Sequence, residues 1–210
     1  MTLADSHREY VGEPLDEAHS NMDPFRQFAV WFERARASEP DSTAMALATA
    51  TREGWPSVRT VLLKGVDERG FVFYTNYHSR KTREMEQTRR ASLLFLWRNS
   101  DRQVRIDGAV EKVSEAESDA YFATRPLESR WSVYASRQSE PIDSREALES
   151  RFEVARQTYG DAVPRPRWWG GYRVIPDMFE FWQGRTSRLH DRLQYRAQSD
   201  GSWVRERLAP

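Results

Sequence analysis

Thr43-Ala-Met-Ala-Leu-Ala-Thr-Ala-Thr51, Arg52-Glu-Gly-Trp-Pro56 and Ser57-Val-Arg-Thr-Val-Leu-Leu-Lys64 follow one another without a break. Two runs of strand character flank a turn containing Gly and Pro, which predicts a β-hairpin. Towards the C-terminus, Phe71–Asn76 follows the turn Asp67-Glu-Arg-Gly70, and Ala91–Trp97 and Gln103–Val113 resume strand character after a short helix over Arg80–Gln87. Ser114 with Glu117 has capping-box spacing and opens a helix towards Thr124. A further helix, capped near Asp143 or Ser144, runs to Tyr159, and after Pro164-Arg-Pro166 come strands over Gly171–Ile175, Met178–Gln183, Asp191–Arg196 and Trp203–Leu208.

Towards the N-terminus, Asp23-Pro24 reads as an N-cap with proline at the first helical position. Phe25, Phe28, Ala29 and Phe32 then recur at helical spacing, predicting a helix to Ser38. Residues 1–22 are polar and aperiodic, so they are expected to be a mobile arm ahead of a single domain over 23–210. Seven or eight short strands with inserted helices predict a mainly β, α+β architecture: a small antiparallel, Greek-key-like barrel decorated by helices. There is neither βαβ alternation nor a Gly-x-Gly-x-x-Gly loop, which excludes a doubly wound nucleotide fold.

The chain has 210 residues, and its 32 Lys and Arg balance 32 Asp and Glu. No net field draws it to nucleic acid or a membrane, so any anionic ligand must be gripped by local clusters of cations. There is no cysteine, which excludes disulfide and thiolate chemistry. No run approaches the roughly 18 apolar residues of a membrane span, and the first ten residues have no apolar signal core; the cytoplasm is the expected compartment. The four histidines, at 7, 19, 78 and 190, make no metal-ligand spacing, so no metal is expected. No Gly-x-Ser-x-Gly elbow is present.

Four segments carry residues able to hold anions. In Arg59-Thr-Val-Leu-Leu-Lys64 the two cations are five apart, so strand alternation points them to opposite faces unless a bulge intervenes; two solvated cations on a strand would look the same. Phe73-Tyr-Thr-Asn76 followed by Ser79-Arg-Lys81 combines hydroxyls, an amide, two cations and a helix start, a phosphate-site composition equally compatible with a capped surface helix. Tyr121 and Arg125 are four apart on a helix, with Ser129 beyond the helix-ending Pro126; together they suit a second phosphate, or a Tyr stacked on an Arg. If residues 188–192 are extended, Arg188, His190 and Arg192 share a face, with Asp191 pointing away. Three such groups repel one another unless an anion or electron-rich ligand lies over them, and His190 titrates in the range useful for proton transfer.

Together these segments resemble the pyridoxamine 5'-phosphate oxidase family. The resemblance rests on Arg59-Thr-Val-Leu-Leu-Lys64, Val72-Phe-Tyr-Thr-Asn76, Ser79-Arg-Lys81, Trp169-Gly-Gly-Tyr-Arg173, Glu180-Phe-Trp-Gln-Gly184, Arg188-Leu-His-Asp-Arg192 and the terminal Arg207-Leu-Ala-Pro210, with an echo at Arg8-Glu-Tyr10. It implies an FMN-binding split barrel, a homodimer with flavin at the subunit interface. It implies FMN contacts at Arg59, Thr60, Val61, Leu62, Leu63, Lys64, Tyr74, Thr75, Arg80, Lys81, Gln103, Gln138, Ser139, Trp182 and Arg192. For the substrate it implies Lys64, Tyr121, Arg125, Ser129, Arg188, Leu189 and His190, with Arg8 and Tyr10 from the arm, and Arg188 and His190 as the catalytic pair.

The implied reaction converts pyridoxamine 5'-phosphate or pyridoxine 5'-phosphate to pyridoxal 5'-phosphate. Hydride passes from C4' to flavin N5, and O2 becomes H2O2. Two departures stand out. Arg130-Trp-Ser-Val-Tyr134 replaces a family pattern like Gln-Leu-Gly-Ala-Trp, so Trp131 and Ser132 are expected to reshape the wall beside the flavin or the substrate phosphate. His7 stands where the family often has arginine. The competing readings are a split-barrel flavoprotein acting on a phenazine-type substrate, which the phosphate-suited set Lys64, Tyr121, Arg125 and Ser129 disfavours, and a non-catalytic FMN or pyridoxal phosphate binder, which the Arg188/His190 pair disfavours.

Overall fold

The computed structural model describes residues 8–210; His7 lies outside the described residues. Helix α1 (Pro24–Ser38) leads into β1 (Ala44–Ala50), β2 (Pro56–Leu62), β3 (Gly65–Asp67), β4 (Gly70–Asn76), α2 (Arg80–Thr88), β5 (Arg90–Trp97) and β6 (Arg102–Lys112). Helices α3 (Glu115–Thr124), α4 (Leu127–Ala135) and α5 (Arg145–Tyr159) follow, and then β7 (Trp169–Gln183), β8 (Asp191–Ala197) and β9 (Trp203–Arg207). Asp23 caps α1 by accepting the Phe25 N–H at 2.9 Å, Ser114 caps α3 from the Glu117 N–H, and Ser144 caps α5 from the Ala147 N–H.

The strands form one antiparallel sheet in the order β2-β1-β5-β6-β7-β4-β3, with β8 on β7 and β9 on β8. This is the split barrel, and β7 is its spine. It runs along β6 from Tyr172 to Gln183, pairs with β4 over Trp169–Val174 and then with β8 over Met178–Gln183. The two strands predicted here are one strand bent at Pro176-Asp177. Proline has no N–H for the ladder, and the register slips between Asp107 and Gly108 opposite it. Gly108 is required at that bend, because a Cβ there would lie 2.1 Å from the Ile175 carbonyl oxygen.

Period-2 alternation turns one face of each strand inward. Met45 and Leu47 of β1, Leu93, Phe95 and Trp97 of β5, and Val104 and Ile106 of β6 are buried together with Phe71, Phe73, Phe179, Phe181 and Tyr195. Phe28, Trp31 and Ala35 of α1, at helical spacing, close this core, Phe28 lying edge-on to Phe71 at 4.8 Å. A second apolar cluster, Phe122, Val133, Val163 and Trp169, joins α3 and α4 to the sheet.

Two expectations change. Helix α4 was not foreseen: Pro126 ends α3 but also occupies the N-cap of α4, so Ser129 sits within a helix rather than beyond one. The arm expected to be mobile is, over residues 8–22, laid against the barrel. Leu15 is buried in the main core and its N–H donates to Asp191 Oδ2, Tyr195 Oη donates to the Asn21 carbonyl, and Arg207 pairs with Glu17. Polar composition hid this anchoring, because one apolar side chain and a few backbone bonds do it.

Candidate active site

A cavity of about 820 Å³ opens where β2, β4 and the α3–α4 turn face one another. Arg59, Thr60, Val61, Leu62 and Lys64 form one wall, so Arg59 and Lys64 reach the same space although strand alternation separates them. Leu63 does not: its side chain is buried in the core. Inward alternation costs this strand one of its predicted contact side chains.

At one end of the cavity Lys81, from the first turn of α2, is buried and donates through Nζ to Gln138 Oε1 at 2.7 Å and to Thr75 Oγ1 and Ser79 Oγ at 3.2 Å. Burial, with the Arg59 guanidinium nearby, pushes its ammonium down to about 8. Arg59 donates to Thr49 Oγ1 and Ser57 Oγ and reaches Glu84 Oε2 at 3.3 Å. Arg80 and Ser139 stand beside this end without lining it; the Arg80 N–H donates to Ser139 Oγ at 3.2 Å.

The other end is aromatic and cationic. Tyr74 and Tyr121 stack with centroids 3.9 Å apart, Trp169 continues the stack at 5.6 Å from Tyr74, and the Arg125 guanidinium lies 4.6 Å from the Trp169 ring. Gly171 makes room for this arrangement, since a Cβ there would meet Tyr74 Cε1 at 2.9 Å. Burial raises the Tyr74 phenol to about 12 and also raises that of Tyr121, so both remain O–H donors. Arg125 Nη1 is buried without a hydrogen-bond partner among the described residues. Ser129 and Ser132 line the wall from α4. Trp131 was expected to reshape that wall but faces the other way, its Nε1 donating to the Gly160 carbonyl and its ring edge-on to Phe152. One residue's step along a helix is about 100°, and from Ser132 that step carries Trp131 out of the cavity wall towards α5.

The remaining predicted residues form a second group that does not line this cavity. Gln103, Trp182 and Arg192 are consecutive partners across β6, β7 and β8. His190 lies 4.6 Å from Trp182 between ring centroids, and Tyr10 packs edge-on against both, at 5.3 Å from His190 and 5.7 Å from Trp182. Arg8 pairs with Asp101 at 2.6 Å. Residues 188–192 are not uniformly extended, which corrects the shared face. Thr186–Arg188 is a 3₁₀ turn with Ser187 and Arg188 at φ 56° and 61°, Leu189 is exposed, and the strand begins only at Asp191. Arg192 is neutralised by buried Glu180, which accepts from its Nε at 2.7 Å and pairs with Arg105 at 3.2 Å. His190 Nδ1 accepts the Arg185 N–H at 3.1 Å, so the neutral ring carries its proton on Nε2. Burial and Arg188 lower its pKa and favour that neutral form.

Thr124 and Ser136 also line the cavity and were not foreseen, since no motif signals them, whereas Asn76 and Ser132 line it in segments that the sequence had singled out. Glu84 and Glu180, the carboxylates beneath the arginines, were missed as well. Glu84 was detectable, because it lies four residues after Arg80 on a helix.

Comparison with known proteins agrees with this geometry. A family model described as "Pyridoxamine 5'-phosphate oxidase" matches residues 32–159, and one described as "Pyridoxine 5'-phosphate oxidase C-terminal dimerisation region" matches 169–210. A pyridoxine/pyridoxamine 5'-phosphate oxidase of Rubrobacter xylanophilus is 57% identical, covering 99% of this chain and 96% of that protein. One from Trichormus variabilis is 53% identical, covering 100% and 99%. Among solved structures, PhzG from Burkholderia lata in complex with tetrahydrophenazine-1-carboxylic acid superposes with a TM-score of 0.89 at 33% identity, covering 95% of this chain and 99% of that one.

Proposed function

The chain belongs to the pyridoxamine 5'-phosphate oxidase family, and from that premise we propose that it is an FMN-dependent oxidase converting pyridoxamine or pyridoxine 5'-phosphate to pyridoxal 5'-phosphate. One observation carries the reading: a single cavity has a donor cluster for one phosphate around Lys81 and another, separate, around Tyr121 and Arg125. The residues fit FMN. Lys81, Thr75, Arg59 and Gln138 would hold its phosphate end, and β2 would run beside it. When bound, FMN supplies the acceptor for the hydride leaving C4' and returns the electron pair to O2 as H2O2.

The protein's own side chains do the rest. Arg125 Nη1, a buried donor in need of an acceptor, and the Tyr121 hydroxyl grip the substrate phosphate together with Lys64 and Ser129. That grip fixes the distance of C4' from the flavin. His190 offers Nε2–H beside Arg188 and completes the site from a second subunit. The division of the predicted residues supports an interface placement of the flavin. Trp182, Arg188, His190 and Arg192 lie in the segment matched by the dimerisation region and outside the cavity of their own chain. The phenazine-type alternative is disfavoured by the 33% identity to PhzG against 57% to the Rubrobacter protein, and by the second phosphate cluster.

The test is a steady-state assay with both phosphorylated vitamers. A yellow protein bleached anaerobically by pyridoxamine 5'-phosphate, giving aldehyde and peroxide in air, is expected; neither product from either vitamer would reject the proposal.

A further inference from the structure

Glu84 is a puzzle for any site that must take up a dianion. It lies on α2 one turn beyond Arg80 and Lys81, is 3% exposed, and places a full negative charge under the cationic end of the cavity. Burial pushes its carboxyl up, but hydrogen bonds from Ser57, Thr49 and Arg80 outweigh that and hold it at about 2, so it is ionised throughout the working range. Coulomb repulsion alone would select against such a group beside a phosphate.

Its contacts explain its presence. Oε1 accepts from Arg80 Nε at 2.7 Å, and Oε2 accepts from Thr49 Oγ1 and Ser57 Oγ at 2.5 Å and from Arg59 Nη2 at 3.3 Å. One carboxylate therefore ties α2 to both strands of the β1–β2 hairpin and orients two guanidinium planes. Arg80 is engaged only through Nε, while its side chain is more than half exposed and its terminal nitrogens have no acceptor among the described residues. An arginine held by its neck presents its two-pronged end, the edge that matches phosphate, with its rotamer entropy already lost. The charge count fits too: Arg59, Arg80 and Lys81 with Glu84 leave two net positive charges, the complement of a phosphate dianion.

We propose that Glu84 is the positioning residue of the FMN-phosphate cradle, aiming the free end of Arg80 at the phosphate and, together with the Leu47 carbonyl, Thr49 and Ser57, fixing the Arg59 guanidinium, through charge-assisted bonds to both. The proposal rests on the assignment of this end of the cavity to the FMN phosphate. A plain structural staple between α2 and the hairpin would share the contacts but not the consequence for phosphate.

FMN and riboflavin differ by that phosphate, so titration of the apoprotein with each, followed by quenching of flavin fluorescence, separates the possibilities. For Glu84→Gln, which keeps the shape and removes the charge, FMN affinity should fall about tenfold while riboflavin affinity stays within about twofold. Simple repulsion predicts the opposite sign, tighter FMN binding. Arg80→Ala, at a side chain that is more than half exposed, should show the same phosphate-specific loss even if Glu84→Gln fails to fold. An unchanged or increased preference for FMN over riboflavin in Glu84→Gln, or an unchanged one in Arg80→Ala, would overturn the proposal. A wild-type protein that does not prefer FMN to riboflavin would instead overturn the phosphate assignment itself. Preserved preference in the variants with clear preference in the wild type would sink the role of Glu84 alone.

Discussion

Lys81 shows how one buried side chain sets a condition on the whole site. Its ammonium is held among Gln138, Thr75 and Ser79 and titrates near 8 because burial and Arg59 both disfavour the charge. The protonated form is the one that attracts phosphate, and an incoming dianion would raise its pKa. FMN affinity of the apoprotein should therefore be level between about pH 7, where the phosphate is already a dianion, and pH 8, and weaken above it by up to about tenfold per pH unit, with uptake of a proton on binding. Equal affinities at pH 7 and 9.5, by fluorescence titration, would contradict this. Much of the site was legible at this scale. Cations, hydroxyls and an amide at strand ends and helix starts are compositional facts, so Arg59, Lys64, Thr75, Lys81, Tyr121, Arg125 and Ser129 could be named from their types and spacing. Arg173 shows the reverse. It sits in a motif shared with the family but is 2% exposed and paired with Asp67 and Glu117, a structural ion pair rather than a ligand group.

Helix α4 is the element that sequence reading lost, and the reason is physical. Pro126 is unfavourable inside a helix but well suited to its entrance, and from the sequence alone both roles look like a stop. Once α4 exists, adjacent residues part company: Ser132 turns to the cavity, and Trp131 turns to α5, where it bonds the Gly160 carbonyl. Trp131→Ala should therefore lower stability by about 1–3 kcal/mol while leaving FMN affinity and the KM for the phosphorylated amine unchanged. A shift in either binding constant, measured beside the thermal melt, would show that the helix transmits its packing to the wall. The strand β7 illustrates the complementary case, in which two correctly placed segments prove to be one element. Local propensity sees proline as a boundary, whereas the β6 ladder on its far side continues through it with a one-residue slip.

On the proposed reading the molecule as a whole presents half-sites. The Trp182–His190–Arg192 group does not line the cavity of its own chain, and under that reading an isologous dimer would join it to the cavity of the partner. Mixing subunits then makes a sharp prediction: Lys81→Ala and His190→Ala should each cripple turnover as pure proteins, yet hybrids formed from the two should regain activity, because each hybrid holds one intact site. No recovery beyond the pure variants, with hybrid formation verified by mass spectrometry, would place both groups in one chain's site. Sequence by itself determined the alternating strands, the capped helices, the balanced net charge and the chemical types of the cation- and hydroxyl-bearing segments that line the cavity, since each depends on neighbours within a few residues. Tertiary structure alone decided that Arg59 and Lys64 share a space, that Leu63 does not, that Glu84 also reaches Arg59 and Glu180 underlies Arg192, and that the arm is pinned through Leu15. Those outcomes depend on strand register and on contacts between residues far apart in the chain, where a single-residue slip reverses which way every side chain points.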